Sequence, residues 1–303
     1  MAYRLDPTLP VGDEVRRVAG EQLEKAVGRL RTEPEPAVAD VHAARTSLKK
    51  TRSLLRLVRS ELGDRTWRGI DIGLRDCGRD LSALRDADVG TATFDALAVE
   101  LVGIVDVGTM ARVTSVLADD AASARARARD SSTAGIVADD LAATLHHTHC
   151  WHIRDRGFAA LERGVERQYR LGRSALASLG KSPDDEELHD LRKRSKDLWY
   201  HLLLLGPAWA PVTEVLAEQA HHLSNLLGDD HDLAVLHETL TVRHRRVACE
   251  GETALVAAID EKRSAIQAEA RAAAARLFAD KPGPWVARLR TWWDVDGDPE
   301  SHR

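Results

Sequence analysis

Aromatic residues make up only 4% of this 303-residue chain. Proteins that hold single-stranded nucleic acid lay successive bases on aromatic rings, and so thin a supply argues against that class. Cysteine is scarce as well. Cys77, Cys150 and Cys249 are widely spaced, odd in number and never in a CxxC pair, which excludes a disulfide-stapled scaffold and zinc-ribbon spacing. They read as reduced, mostly buried thiols of a cytoplasmic protein. No apolar run approaches the roughly 20 residues needed to cross a bilayer, so no membrane partner is expected. Met1-Ala2-Tyr3-Arg4-Leu5-Asp6-Pro7 lacks the basic-then-apolar pattern of a secretory leader, and none is expected. Neither a GxxxxGK[ST] phosphate loop nor a GxSxG elbow occurs. No segment alternates with period two, which removes a sheet from the expected fold. A surplus of positive charge is missing too. The net charge is −5, whereas a diffuse nucleic-acid binder is basic overall.

What is present is cationic charge concentrated in one place. The stretch His42-Ala-Ala-Arg45-Thr-Ser-Leu-Lys49-Lys50-Thr-Arg52-Ser-Leu-Leu-Arg56 has the apolar period of a helix, with Leu48, Leu54, Leu55 and Val58 on its back. At about 100° per residue, His42, Arg45, Lys49, Arg52 and Arg56 fall within roughly 80° of arc. They form a front about 21 Å long. Solvated helix faces usually mix signs at i, i+4, and like charges there repel. A stripe of one sign therefore costs stability unless carboxylates or a bound anion answer it. On an acidic chain, the pattern points to selective binding of a polyanion at one site.

The pattern returns. His189, Arg192 and Lys196 repeat the spacing of His42, Arg45 and Lys49, with Lys193 beside them, and His189 follows His42 by 147 residues. Trp199 and Leu203 stand where Arg52 and Arg56 stood, so the second stripe is shorter. A second pair of segments keeps the same order: Leu84-Arg85-Asp86-Ala87-Asp88-Val89 and Gly228-Asp229-Asp230-His231-Asp232-Leu233. Two matched pairs imply an internal duplication. Helical periods elsewhere, broken at Pro34, Pro36, Gly180, Pro183, Gly206 and Pro207, predict an all-α fold of two pseudo-symmetric bundles of about four helices each. The bundles are expected over 10–135 and 136–295, with Ser131-Ser132-Thr133-Ala134-Gly135 as the joint. Helices are expected near 211–227 and 230–248, with a corner at the Asp229-Asp230 run.

Other basic and acidic groups fit around the stripes. Arg163, Arg167 and Arg170 share about 60° of a helix, with Arg173 about 60° further round. This helix occupies the place before His189 that Gly12–Arg31 occupies before His42, so each half offers two basic helices. Asp86, Asp88, Asp230 and Asp232 are expected to support the site by capping helix starts or pairing with stripe cations. Ringed by cations, His42 and His189 should be neutral when the site is empty and gain a proton as an anion arrives. His146-His147-Thr-His149-Cys150-Trp-His152 resembles a metal cluster, since His149 and His152 share a helix face. No acidic or thiolate partner has matching spacing, and no metal or other cofactor is expected. His189-Asp190, His221-His222 and Asp229-Asp230-His231-Asp232 invite a metal-dependent phosphohydrolase reading, but the first half lacks a matching His before its Asp pair.

Taken in order, His42-xx-Arg45-xxx-Lys49-xx-Arg52, Leu84-Arg-Asp-Ala-Asp88-Val, His189-xx-Arg192-xxx-Lys196 and Leu227-Gly-Asp-Asp-His-Asp232-Leu resemble the CHAD family, the conserved-histidine α-helical domain. Tyr169-Arg170-Leu-Gly-Arg173 resembles that family's basic helix before the second His. The likeness covers roughly residues 10 to 295 as a single domain. It implies two pseudo-symmetric helical bundles with a basic central surface, and the two stripe helices and the Arg163–Arg173 helix are expected to form a cationic groove between the halves that binds inorganic polyphosphate, without catalysis, in the cytoplasm or on polyphosphate granules. Some relatives carry a CYTH triphosphatase domain, whose ExExK signature this chain lacks. Under this resemblance the binding residues are His42, Arg45, Lys49, Arg52, Arg56, Arg163, Arg167, Arg170, Arg173, His189, Arg192, Lys193 and Lys196. The rival readings are a nucleic-acid-binding module, made improbable by the missing aromatics, and the phosphohydrolase. Oligomeric state is left open.

Overall fold

The computed structural model describes residues 3–33, 36–81, 86–129, 133–243 and 250–297. The fold is all-α, and no strand occurs among the described residues. In chain order the helices are α1 (Val11–Leu30), α2 (Val38–Leu57), α3 (Arg59–Leu62), α4 (Asp64–Asp80), α5 (Asp86–Glu100), α6 (Val107–Arg129), α7 (Thr133–His146), α8 (Ala159–Ser178), α9 (Asp185–Leu204), α10 (Ala210–Glu238), α11 (Glu250–Leu277) and α12 (Pro282–Gly297).

Local chemistry sets several of these boundaries. Asp184 and Glu187 form a reciprocal capping box at the start of α9: the Glu187 N–H donates to Asp184 Oδ1 at 2.8 Å, and the Asp184 N–H to Glu187 Oε2 at 3.1 Å. Gly63, at φ 75°, turns the chain between α3 and α4, a conformation that costs glycine little and other residues more. Gly103, at φ 84°, does the same between α5 and α6. Two expected helices prove to be one. α10 runs unbroken through Gly228-Asp229-Asp230, because Asp230 is buried and its carboxylate is answered by Arg263 and Gln267 of α11. The expected corner is absent, and Asp230 and Asp232 cap no helix start. α7 and α8 are separated by a short turn at Thr148–Cys150 and a non-helical stretch.

α2 and α9 pack together near their C-terminal ends. Ser53 faces His201, and Arg56 faces Asp197, so the two helices run antiparallel where they meet. α8 lies against both, and α1 covers α2. α7 packs on α1 and α4, while α5 packs on α10, so contacts cross the expected joint in both directions. Ser131 and Ser132 of that joint lie outside the described residues. The large core takes residues from α1, α2, α7, α8, α9, the first part of α10, the end of α11 and α12. A second, separate cluster joins Phe94, Leu97, Val113 and Leu117 of α5 and α6 to Leu233 and Leu236 of α10 and Leu255 and Ile259 of α11. The N-terminal segment straps the crossing: the Leu5 N–H donates to the Leu204 carbonyl at 2.9 Å, and the Tyr3 hydroxyl to the Lys50 carbonyl at 2.8 Å. Cys77 is buried, whereas Cys150 is exposed, contrary to the expectation for it; Cys249 lies outside the described residues.

Gly164 of α8 sets the closeness of α8 to α2, because a Cβ there would land on the Leu57 backbone. Gly28 of α1 is exposed with open space around it. Gly164→Ala should therefore cost about 1–3 kcal/mol or more through overpacking, while Gly28→Ala should gain roughly 0.5–1 kcal/mol from reduced chain entropy. Denaturant unfolding of the two variants checks the opposite signs. His201 is buried, and burial holds its pKa below the usual value of 6.5. Its contribution to stability is complete above about pH 6.5 and is lost as pH falls below it, where the unfolded chain binds the proton more readily. Melting temperatures should fall on acidification from pH 7.5 to 5.5, and His201→Gln should flatten that fall.

Candidate anion-binding site

α2 presents its cationic front to α4. Arg45, Lys49 and Arg52 of α2 join Arg75 and Arg79 of α4 around a cleft of about 220 Å³, with Leu48, Leu74 and Gly78 completing the walls. Among the described residues, five cations line this cleft and no carboxylate does. Arg45 donates to the Gly78 carbonyl, which holds α2 against α4. Arg52 makes a two-pronged ion pair with Asp71 of α4, its Nε 2.8 Å from Oδ1 and a terminal nitrogen 3.1 Å from Oδ2. Asp76 pairs with Arg75 at 3.1 Å and with Arg79 at 3.5 Å. These acids orient the guanidinium groups and offset part of the repulsion among them, and neither is a lining residue. Arg75 and Arg79 escaped the sequence reading. They alternate with Asp71, Asp76 and Asp80 along α4 and so resemble an ordinary mixed-sign face.

At the other end of the stripe, Arg56 donates to Asp197 of α9 at 2.6 Å. This pair ties the two stripe helices together where they cross. Because the helices are antiparallel there, the stripes run away from the crossing in opposite directions. By residue count, His42 lies about 16 Å along α2 from Ser53, and His189 about 18 Å along α9 from His201. Both histidines are exposed. The basic cleft thus sits between α2 and α4.

The second stripe is arranged differently. The Arg192 guanidinium lies against Gly228 of α10. Lys193 and Arg194 share Asp190, each at 3.1 Å. The Lys196 ammonium stands 6.0 Å from the centre of the Trp199 ring. The His189 and His231 rings are 5.6 Å apart. Partial loss of hydration to neighbouring atoms, then Lys193, His231 and Arg192, push the pKa of the exposed His189 below 6.5; burial, then Arg192, does the same for His231. The neutral His189 expected from its cationic neighbours is consistent with that shift. Burial and Asp232 raise the Asp229 pKa.

The expected supporting acids behave otherwise. Asp230 pairs with Arg263 of α11 at 3.1 Å, and Arg263 reaches Asp185 at the start of α9 as well. It is therefore a core tie and not the partner of a stripe cation. The side chains of Asp86 and Asp88 lie outside the described residues, as do Leu84 and Arg85. On α8, Arg163 and Arg167 are exposed, and Arg170 pairs with Glu166. Arg173 points to the end of α11, donating to the carbonyls of Phe278, Ala279 and Asp280. It caps a helix C-terminus, where cations are favoured. His146 lies 5.6 Å, ring to ring, from His147 and from His149. Among the described residues no group of three or more His, Cys, Asp or Glu side chains could hold a metal ion. Likewise, no helix is long and apolar enough to cross a membrane.

Residues 19–241 match the CHAD domain family. The chain belongs to that family. Solved structures repeat its fold: PptA from Streptomyces chartreusis superimposes with a TM-score of 0.64 at 20% identity, over 89% of this chain and 100% of that one. The CHAD domain from the plant Ricinus communis gives 0.60 at 17% identity, covering 89% of both chains. In sequence, this CHAD protein is 28% identical over 249 residues to the uncharacterized proteins MT2285 and Rv2226 of Mycobacterium tuberculosis strains CDC 1551 / Oshkosh and ATCC 25618 / H37Rv. The match takes in 76% of this chain and 45% of each relative, so the chain spans about half the length of the curated relatives it matches.

The His189 environment makes a direct prediction for the CHAD fold. Side-chain NMR titration should give His189 a midpoint below the usual ~6.5, and added tripolyphosphate should move it upward. Since the bound form holds the proton more tightly, tripolyphosphate affinity should rise as pH falls toward the midpoint of the empty site.

Proposed function

We propose that this CHAD protein is a non-enzymatic binder of linear inorganic polyphosphate. The observation that carries the reading is the α2–α4 cleft, where Arg45, Lys49, Arg52, Arg75 and Arg79 converge with no acid among the described lining residues. Guanidinium groups match phosphate oxygens bidentately, and lysine adds a compact point charge. A chain of phosphates answers such a row of charges without needing a base-stacking surface. The ligand enters at the cleft, follows the front of α2 past Arg56, and extends toward Arg192, Lys193 and Lys196 of α9. His42 and His189 stand at the two ends of that path and supply a proton-linked charge. Arg163, Arg167 and Arg170 add basic surface on α8, and Arg173 serves the fold. In this reading residues 10–295 act as one CHAD unit built from two related helical halves over 10–135 and 136–295. Its place in a cell is the cytoplasm, on polyphosphate granules where those form.

Each phosphate-bound arginine contributes about 1.5–3 kcal/mol where water is partly excluded. Arg45→Ala alone should therefore weaken binding by roughly ten- to a hundredfold, and the double change Arg45→Glu, Arg192→Glu should abolish it with helicity unchanged. Arg75→Ala with Arg79→Ala should weaken binding comparably, although neither residue lies in a stripe. Calorimetric titration with polyphosphates of graded length measures all three. Affinity should fall steeply with added salt as condensed counterions cease to be released. Polyphosphate should displace RNA at equal phosphate concentration, and the reverse displacement should fail. Full binding by the Arg45→Glu, Arg192→Glu protein would overturn the proposal, as would phosphate release from polyphosphate with added divalent metal.

A further inference from the structure

The second stripe ends in rings where the first ends in guanidinium groups. Trp199 holds the register position of Arg52, three residues beyond Lys196 and seven beyond Arg192. Its indole lies 4.7 Å from the Tyr200 ring at 28° and 3.9 Å from the His221 ring at 16°. Two nearly parallel rings that close cannot share one face of an indole without overlapping each other. Tyr200 and His221 therefore take opposite faces, and the three rings form a stack running from α9 to α10. Tyr200, at 2% exposure, is the inner end. His221 is partly exposed and is the outer end. Burial and the nearby Lys196 hold the His221 pKa below 6.5, so the outer ring is a neutral, flat imidazole.

Resting on the reading of the stripe as a phosphate-binding surface, we infer that this stack receives the base of a nucleoside polyphosphate whose phosphates lie on Lys196 and Arg192. The base extends the stack at His221. Along the helix axis, Lys196 and Arg192 stand about 4.5 and 10.5 Å from Trp199, so the cations trail away from the rings as phosphates trail from a base beyond its ribose. Single-stranded nucleic acid needs a series of ring platforms along a basic groove. Here one stack closes one end of one stripe, which suits a single base with a phosphate tail. The first stripe offers cations in place of this platform, so both ends of the phosphate path take phosphate and the α9–α10 end takes a base as well.

ATP and tripolyphosphate carry the same three phosphates and differ by the adenosine. Calorimetry on the full chain at fixed salt should show ATP binding at least about fivefold more tightly than tripolyphosphate, the lower end of what stacking a base on an aromatic ring contributes. His221→Ala should erase that advantage and leave tripolyphosphate affinity unchanged. Trp199→Leu keeps an apolar side chain against the core and should do the same. Equal affinity for the two ligands in the unmodified protein would overturn the inference, and so would variants that weaken both ligands alike. Oligoadenylate binding more tightly per base than ATP would also overturn it in favour of a strand. Long-chain polyphosphate separates the two levels: if it binds while ATP gains nothing over tripolyphosphate, only the base site falls. If none of these ligands binds, the phosphate-binding stripe falls and takes the base site with it.

Discussion

The arrangement depends on the buried polar contact between α2 and α9. His201 is enclosed, with its Nε2 3.0 Å from the Ser53 carbonyl and 3.1 Å from the Ser53 hydroxyl, and one turn away Arg56 meets the buried Asp197 at 2.6 Å. Polar groups taken out of water have to find partners, and removing one partner costs far more than the pair gains. These contacts therefore fix the register of one stripe helix on the other. A slide of either helix by a single residue would turn Arg56 away from Asp197 and break both pairings together. Register fixed in this way carries through α2 to the cleft with α4 and through α9 to the rings on α10.

Around that crossing, charge is sorted by role. Acids hold the guanidinium groups in place both across helices and along one, as Asp71 of α4 holds Arg52 of α2 and Asp76 holds Arg75 and Arg79 of its own helix. Asp230 and Asp185 are engaged by Arg263 in the body of the fold. The molecule is acidic overall and locally basic, a combination that suppresses diffuse adhesion to anions while keeping one surface receptive.

Much of this was legible in the chain because a helix records its faces at fixed spacing. His42, Arg45, Lys49, Arg52 and Arg56 share a face through their intervals alone, and the apolar residues between them fix which side is buried. The all-α fold followed from the same periodicity. Arg75 and Arg79 were illegible for the converse reason: interleaved acids make α4 look like a solvated helix, and only its packing on α2 brings those arginines to the cleft. The continuity of α10 was hidden by Gly228-Asp229-Asp230, whose local preference is for a break. Arg263 and Gln267, more than thirty residues further on, satisfy Asp230 and override that preference. Arg173 shows the opposite limit. Its spacing placed it with the basic helix, while tertiary contact assigns it to the end of α11.

The separate cluster formed by α5, α6 and parts of α10 and α11 has a consequence for how the molecule breathes. Its apolar contacts are distinct from those of the main core, and α10 and α11 are the rods that pass through both. Regions with their own small core open at lower free energy than the body to which they are attached. The α5–α6 hairpin can therefore peel away as a unit while α2, α4 and α9 stay clamped. Amide protons at that outer end will trade with solvent sooner than those beneath the cations, giving one chain two tempos of motion.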